Sequence, residues 1–189
     1  MLNIQTDVET WMKKLKFSYW NSEEILAQLD SECGELSTEL LERYGPKPKK
    51  PTDQKRKVGH EIADVIFALT CLANSHDVDL AQECRRAMST TDPPEFSRLH
   101  GIQKHIASLN GKALPPLKIY RDLVIHKGIL GTELREYDTH RTGRIGEGMA
   151  DVLTNTVYLG TTLKIDLQRA WDEKMDIRYG RDKGRFSSP

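Results

Sequence analysis

Four glutamates, Glu32, Glu35, Glu39 and Glu42, fall within eleven positions of the stretch SECGELSTELLERYG, with no lysine or arginine among them before Arg43. On a helix these side chains form one stripe, and like charges at i,i+3 or i,i+4 spacing repel unless a cation compensates them. A second acidic pair, Glu61 and Asp64, sits three positions apart in HEIADVIF. Four carboxylates cannot share one place at neutral pH without strong mutual repulsion and raised pKa values. A hard divalent ion removes that conflict, and an all-oxygen site suits Mg²⁺ or Mn²⁺. The sequence therefore offers Glu32, Glu35, Glu61 and Asp64 as one metal-binding set.

The elements that must position these acids are helical. Apolar residues recur at helical spacing over residues 3–16, and Ser22 reads as the N-cap of a second helix that stops near Gly45-Pro46. Its apolar arc is Ile25, Leu29, Leu36 and Leu40, and Glu32 borders that arc. A third helix is predicted over 58–75, with Glu61 at the edge of an apolar face that includes Ile62, Val65, Leu69 and Leu72. Asp79 caps a fourth helix ending before TTDPP. If the apolar arcs of the second and third helices face one another, the four acids converge at their shared edge.

After TTDPP the pattern restarts. Thr38-Glu39-Leu40 matches Thr132-Glu133-Leu134 at an offset of 94, while Ala63-Asp64-Val65 matches Ala150-Asp151-Val152 at an offset of 87. Asp79-Leu80 and Asp166-Leu167 keep the second offset, and Asp166 reads as another helix cap. A single shortened loop in an otherwise ordered set of matches is the mark of a duplicated helical unit. The expected architecture is all-α: two tandem four-helix units, residues 1–92 and 93–189, packed as a pseudo-dimer.

Charge and composition restrict the function classes. The 28 basic and 28 acidic residues cancel, so no global field draws the chain to nucleic acid or to an anionic membrane. The first sixteen residues lack the apolar core of a signal peptide, and no apolar run approaches membrane-spanning length. Cys33, Cys71 and Cys84 lie far apart without CxxC spacing and read as reduced thiols. A cytoplasmic protein is expected.

SECGELSTEL followed by HEIADVIFALTCLANSHDVDLAQ resembles the MazG-like all-α nucleoside triphosphate pyrophosphohydrolases, whose hallmark is ExxE on one helix and ExxD on the next. The motif match spans residues 25–85, and the repeat carries a weaker match onward. The resemblance implies magnesium held by Glu32, Glu35, Glu61 and Asp64, and hydrolysis of an NTP or dNTP to a monophosphate and pyrophosphate. Glu32 and Glu35 both remain candidates for the general base. One departure stands out: many members carry a further glutamate at the position of Ser31.

The second copy has His126, Ile129 and Gly148 where the first has Glu32, Glu35 and Glu61, and only Asp151 remains, for Asp64. No catalytic magnesium is expected there, and His126 reads as structural. KMDI in the last helix is similar to a nucleotide-contacting stretch of dCTP pyrophosphatase relatives, which makes Lys174, Arg178 and Arg181 substrate-contact candidates. Lys57, with Lys55 and Arg56 before it, is placed to reach a triphosphate. Trp20 is the stacking candidate in the region where relatives build a base pocket, while Trp11 reads as core. Asn74 matches an asparagine common in the family. Glu39 and Glu42 recur as Glu133 and Glu136 and read as structural or simply solvated. Phosphoribosyl-ATP pyrophosphohydrolase is the narrower alternative, and a non-catalytic nucleotide-binding or helical interaction protein is the broader one. The pseudo-dimer either suffices alone or pairs again into a homodimer of pseudo-dimers.

Overall fold

Asn21 opens the helix that carries the ExxE acids. Its side-chain oxygen accepts from the Glu24 backbone N–H at 2.8 Å, and the Glu24 carboxylate accepts from the Asn21 N–H at 3.1 Å, a complete capping box. The cap is therefore Asn21 and not Ser22, whose hydroxyl instead lies 3.2 Å from His76 Nε2. In this computed structural model residues 1–46, 57–88, 96–109, 113–140 and 142–182 are described. They form eight α-helices and no strand: α1 Asn3–Leu15, α2 Ser22–Tyr44, α3 Val58–Ser75, α4 Leu80–Ala87, α5 Leu99–Leu109, α6 Pro116–His140, α7 Ile145–Thr162 and α8 Leu167–Asp182. The chain is an all-α bundle, and no described helix is long and apolar enough to cross a membrane.

The core is organised on α3 and α7, which pack against each other. Ile62, Val65, Ile66, Leu69 and Leu72 of α3 are fully buried, as are Met149, Val152, Leu153 and Val157 of α7. Helices buried on most of their circumference need neighbours on several sides. α1 and α2 cover α3, α5 and α6 cover α7, and α2 touches α6. The last helix of each half crosses over, α4 onto α7 and α8 onto α3.

Local structure recurs with the sequence offset. α3 and α7 are both 18 residues long. Each ends in a left-handed residue two positions before the next helix's cap, Asp77 at φ 54° and Lys164 at φ 55°. Gln5 Nε2 donates to Val78 O at 2.8 Å and its Oε1 accepts from Leu80 N at 3.1 Å. Gln103 makes the same two bonds, to Ile165 O at 2.8 Å and from Leu167 N at 3.1 Å. Asp79 caps α4 through Ala81 and Gln82, and Asp166 accepts from Arg169 N, as the sequence predicts.

Candidate active site

The antiparallel run of α2 against α3 brings Glu32 to the edge where Glu61 and Asp64 emerge. Glu61 and Asp64, one turn apart, are 5% and 6% exposed, while Glu32 is half-buried and Glu35 is exposed. Gln28, one turn before Glu32, donates to its carboxylate at 2.5 Å. Burial raises the Glu32 pKa above its ordinary value. The nearby Asp64 charge and, more weakly, Glu35 add to that, against the Gln28 hydrogen bond and Arg178. Glu32 and Asp64 are thus electrostatically coupled across the two helices.

The balancing charge comes from the other half of the chain. Lys174 Nζ meets Asp64 Oδ2 at 2.5 Å, and Arg178 Nη2 donates to Asp64 Oδ1 at 2.5 Å. These cations are four residues apart and so occupy one face of α8. The Arg178 guanidinium also stacks 3.7 Å from the centre of the Phe67 ring, one turn after Asp64, which fixes it as a cation–π partner. Phe67 in turn contacts Trp11 edge-on at 5.4 Å, and Trp11 is core as expected.

A second cross-link ties the start of α3 to α8. Glu173 accepts from Lys57 Nζ at 2.9 Å and from Arg169 Nε at 3.0 Å, and it meets His60 Nε2 at 2.9 Å. Those bonds, His60 first, hold its pKa down at about 2. Lys57 is therefore engaged by Glu173, not aimed freely at the acids. Lys55 and Arg56 lie outside the described residues.

Other predicted site residues do not join. Asn74 donates to Gln5 O and to Tyr19 Oη, each at 3.0 Å, and accepts from Gln5 Nε2 at 3.0 Å. Its amide ties α1 to the segment before α2. Trp20, 60% exposed, lines a groove of about 510 Å³ with Ser22, His76 and Tyr137. Both lie at the far end of α3 from Asp64, roughly 15 Å of helix away. Arg181 is exposed on the last turn of α8. Of the two readings of Glu39, structural or solvated, burial selects the first: it is 3% exposed and lies 3.9 Å from Arg43.

At the matching place in the second half, His126 Nδ1 lies 3.3 Å from Asp151 Oδ2. Gly148 replaces Glu61, and a Cβ there would sit 3.3 Å from the Leu130 side chain and 3.4 Å from its backbone. Ala87 stands where Lys174 stands in the other copy.

Glu32 and Asp64 are coupled across α2 and α3, and Glu61 lies one turn before Asp64; carboxylates are the donor type that suits Mg²⁺ or Mn²⁺. As they stand, no three or more His, Cys, Asp or Glu side chains among the described residues are grouped to hold a metal ion, and both Asp64 oxygens are committed to α8. Sequence reading missed Gln28, Phe67, His60 and Glu173. Gln28 and Phe67 carried a signal, being helical neighbours of Glu32 and Asp64.

Fold and site define an all-α bundle in which Asp64, coupled to Glu32 across α2 and α3, is answered by two cations from α8. No protein-family model matches the chain, and no solved structure matches it significantly. Over 101 residues, 52% of this chain and 91% of the relative, it is 39% identical to the uncharacterized protein YpjD of Bacillus subtilis (strain 168). The chain belongs to the same family as that protein.

Proposed function

We propose that the protein is a magnesium-dependent, MazG-like nucleoside triphosphate pyrophosphohydrolase, made of units 1–92 and 93–189 packed as a pseudo-dimer. The observation that carries the reading is the pairing of Lys174 and Arg178 with Asp64 beside Glu32 and Glu61. A site with acids on one wall and two converging cations on the other matches a substrate that is a metal ion and a triphosphate together. The match of 52% of this chain to 91% of its relative supports a half-chain unit. The three free cysteines and this substrate class suit the cytoplasm.

Glu32, Glu35, Glu61 and Asp64 would hold the ion, which supplies the charge that neutralises the triphosphate. Lys174 and Arg178 then turn from Asp64 to phosphate oxygens and orient the chain of phosphates for in-line attack by water. Glu32, whose pKa is raised, accepts the proton of that water, with Glu35 the other candidate. The bond between the α and β phosphates breaks, giving a monophosphate and pyrophosphate.

Pyrophosphate release is measured with Mg²⁺ over a panel of NTPs, dNTPs and phosphoribosyl-ATP, for the wild type and Glu61→Ala. Release from an NTP or dNTP that disappears in the variant supports the proposal. Turnover of phosphoribosyl-ATP alone reassigns the substrate. The full commitment of Asp64 to α8 favours one second reading, a non-catalytic nucleotide-binding protein. Calorimetric binding of nucleotide without any product selects it.

A further inference from the structure

Two residues of α3, one turn apart, hold the Arg178 guanidinium by its edge and by its face. Asp64 Oδ1 accepts from Nη2 at the edge, and the Phe67 ring lies against the face, with Cζ 3.7 Å from the ring centre. The two contacts constrain different things. A carboxylate fixes where one donor points. A ring fixes only the plane, because its attraction to a cation is spread over the whole face. Five N–H donors lie in the guanidinium plane. One of them, on Nε, is buried without a hydrogen-bond partner among the described residues. The Arg178 side chain is 11% exposed, so this buried donor is left for an acceptor from outside the chain.

Phe67 is itself held in place. Trp11 of α1 meets it edge-on at 5.4 Å, and Trp171 of α8 lies 6.2 Å away with the ring planes 32° apart. The Trp171 indole N–H donates to Asp7 of α1 at 2.9 Å, which ties down the helix that carries Arg178. The bundle does not require this aromatic set. At the offset of 87, Cys84 stands for Trp171, Thr91 for Arg178 and Thr154 for Phe67. Helix length, left-handed turn and anchoring glutamine are nevertheless kept. This ring and this cation thus accompany the four acids and are missing from the half without them.

We propose, on the reading in which Arg178 binds phosphate, that Phe67 is a positioning residue for the triphosphate. Its ring holds the Arg178 plane while the guanidinium turns within that plane from Asp64 to phosphate oxygens. Rotation about the normal to the ring keeps the cation against the same face. The bond to Asp64 is then exchanged without loss of the stacking contact. Phosphate meets a planar fork that is already desolvated and oriented, which lowers the ordering cost of binding. Phe67 therefore acts on binding, through Arg178, and not on the reacting atoms.

Fluorination of the ring tests this, because fluorine draws charge from the ring face and leaves the ring's size nearly unchanged. The full chain is made with mono-, tri- or pentafluorinated phenylalanine in place of Phe67. Steady-state kinetics use whichever NTP or dNTP is turned over fastest. KM is expected to rise stepwise with fluorine count to about 5- to 20-fold, the loss of a desolvated cation–π contact. The kcat is expected to stay within about twofold. Phe67→Tyr, which keeps a ring face, is expected to hold KM within about twofold, and Phe67→Leu to resemble the pentafluorinated protein. In an Arg178→Ala background the series is expected to be flat, which a packing role for Phe67 would not produce. A KM unmoved by fluorination, or moved equally in Arg178→Ala, overturns the proposal and leaves the pyrophosphohydrolase reading standing. If nucleotide binds without product, the same stepwise rise in the calorimetric dissociation constant supports Phe67 positioning while the catalytic reading falls. A wild type that neither turns over nor binds any nucleotide overturns both.

Discussion

α3 and α7 share a length, and the turns that follow them share a left-handed residue and an anchoring glutamine, yet the chemistry at the α2–α3 and α6–α7 seams differs. In the first, Glu32 and Asp64 face one another as two acids, and the compensating Lys174 and Arg178 come from α8. In the second, a histidine stands in the place of the first acid, and His126 Nδ1 lies 3.3 Å from Asp151. The backbone arrangement does not depend on the acids. It rests on Gln5 and Gln103 and on the left-handed residues Asp77 and Lys164, all remote from them. Chemistry at the seam is therefore free to change while the helices stay in place.

The largest predicted asymmetry is in turnover. Asp64→Ala should lower the rate of pyrophosphate release by about 10³-fold, as loss of a group acting on transition-state charge does. Asp151→Ala, at the matching place, should leave it within about twofold. Equal losses in the two variants would break the contrast between the halves. Next in size is Arg178→Ala, which removes the side chain that the proposed function assigns to phosphate binding. It should raise KM by about 10- to 100-fold with a smaller fall in kcat, and Arg178→Lys should recover only part of this, because lysine cannot form the same planar contact with Phe67 and two acceptors. A purely structural role for Arg178 would instead lower the melting temperature and leave KM alone.

Much of this arrangement is legible in the sequence, for identifiable reasons. α3 and α7 are strongly periodic, so the bounds 58–75 of the first follow from apolar spacing alone. The nearness of Glu32 to Asp64 follows from packing the apolar arcs of α2 and α3 together. The cap at Asn21 was missed by one residue, since Asn and Ser cap equally well and only geometry separates adjacent candidates. Glu39 lies on the acidic stripe, but its burial depends on neighbours that a helical wheel does not include. Trp20 and Asn74 entered through resemblance, and only the antiparallel α2–α3 hairpin shows them at the wrong end for the acids. The reach of Lys174 and Arg178 to Asp64 spans more than a hundred residues and depends on the crossing of α8 onto α3, which no local pattern encodes.

A smaller effect tests the shared scaffold. Gln5→Ala and Gln103→Ala each leave a buried carbonyl and a helix N-terminal N–H unpaired, and each should cost about 2 kcal/mol in denaturant unfolding. Gln5 also bonds Asn74, so its variant should be the more destabilised. A large cost at one glutamine and none at the other would mean that the two halves are held together differently.

The smallest effect concerns Glu32, whose folded pKa lies above the ordinary 4.5 because of burial and the neighbouring Asp64. A raised pKa means that the fold favours the protonated form. The group's stabilising contribution is then fully present below about pH 4.5 and is lost as pH rises through the folded value. Glutamine imitates the protonated carboxyl at every pH. Glu32→Gln should therefore unfold about 1 kcal/mol harder than wild type at pH 7, a typical gain from relieving a strained site, with the difference vanishing below pH 4.5. His126→Gln breaks a half-exposed pair and should move stability by only a few tenths of a kcal/mol. Added Mg²⁺ should reverse the order in the first half, stabilising the wild type and not Glu32→Gln. If Glu32→Gln is the less stable protein at neutral pH without metal, Glu32 is a structural acid like Glu39, and the electrostatic contrast between the halves disappears.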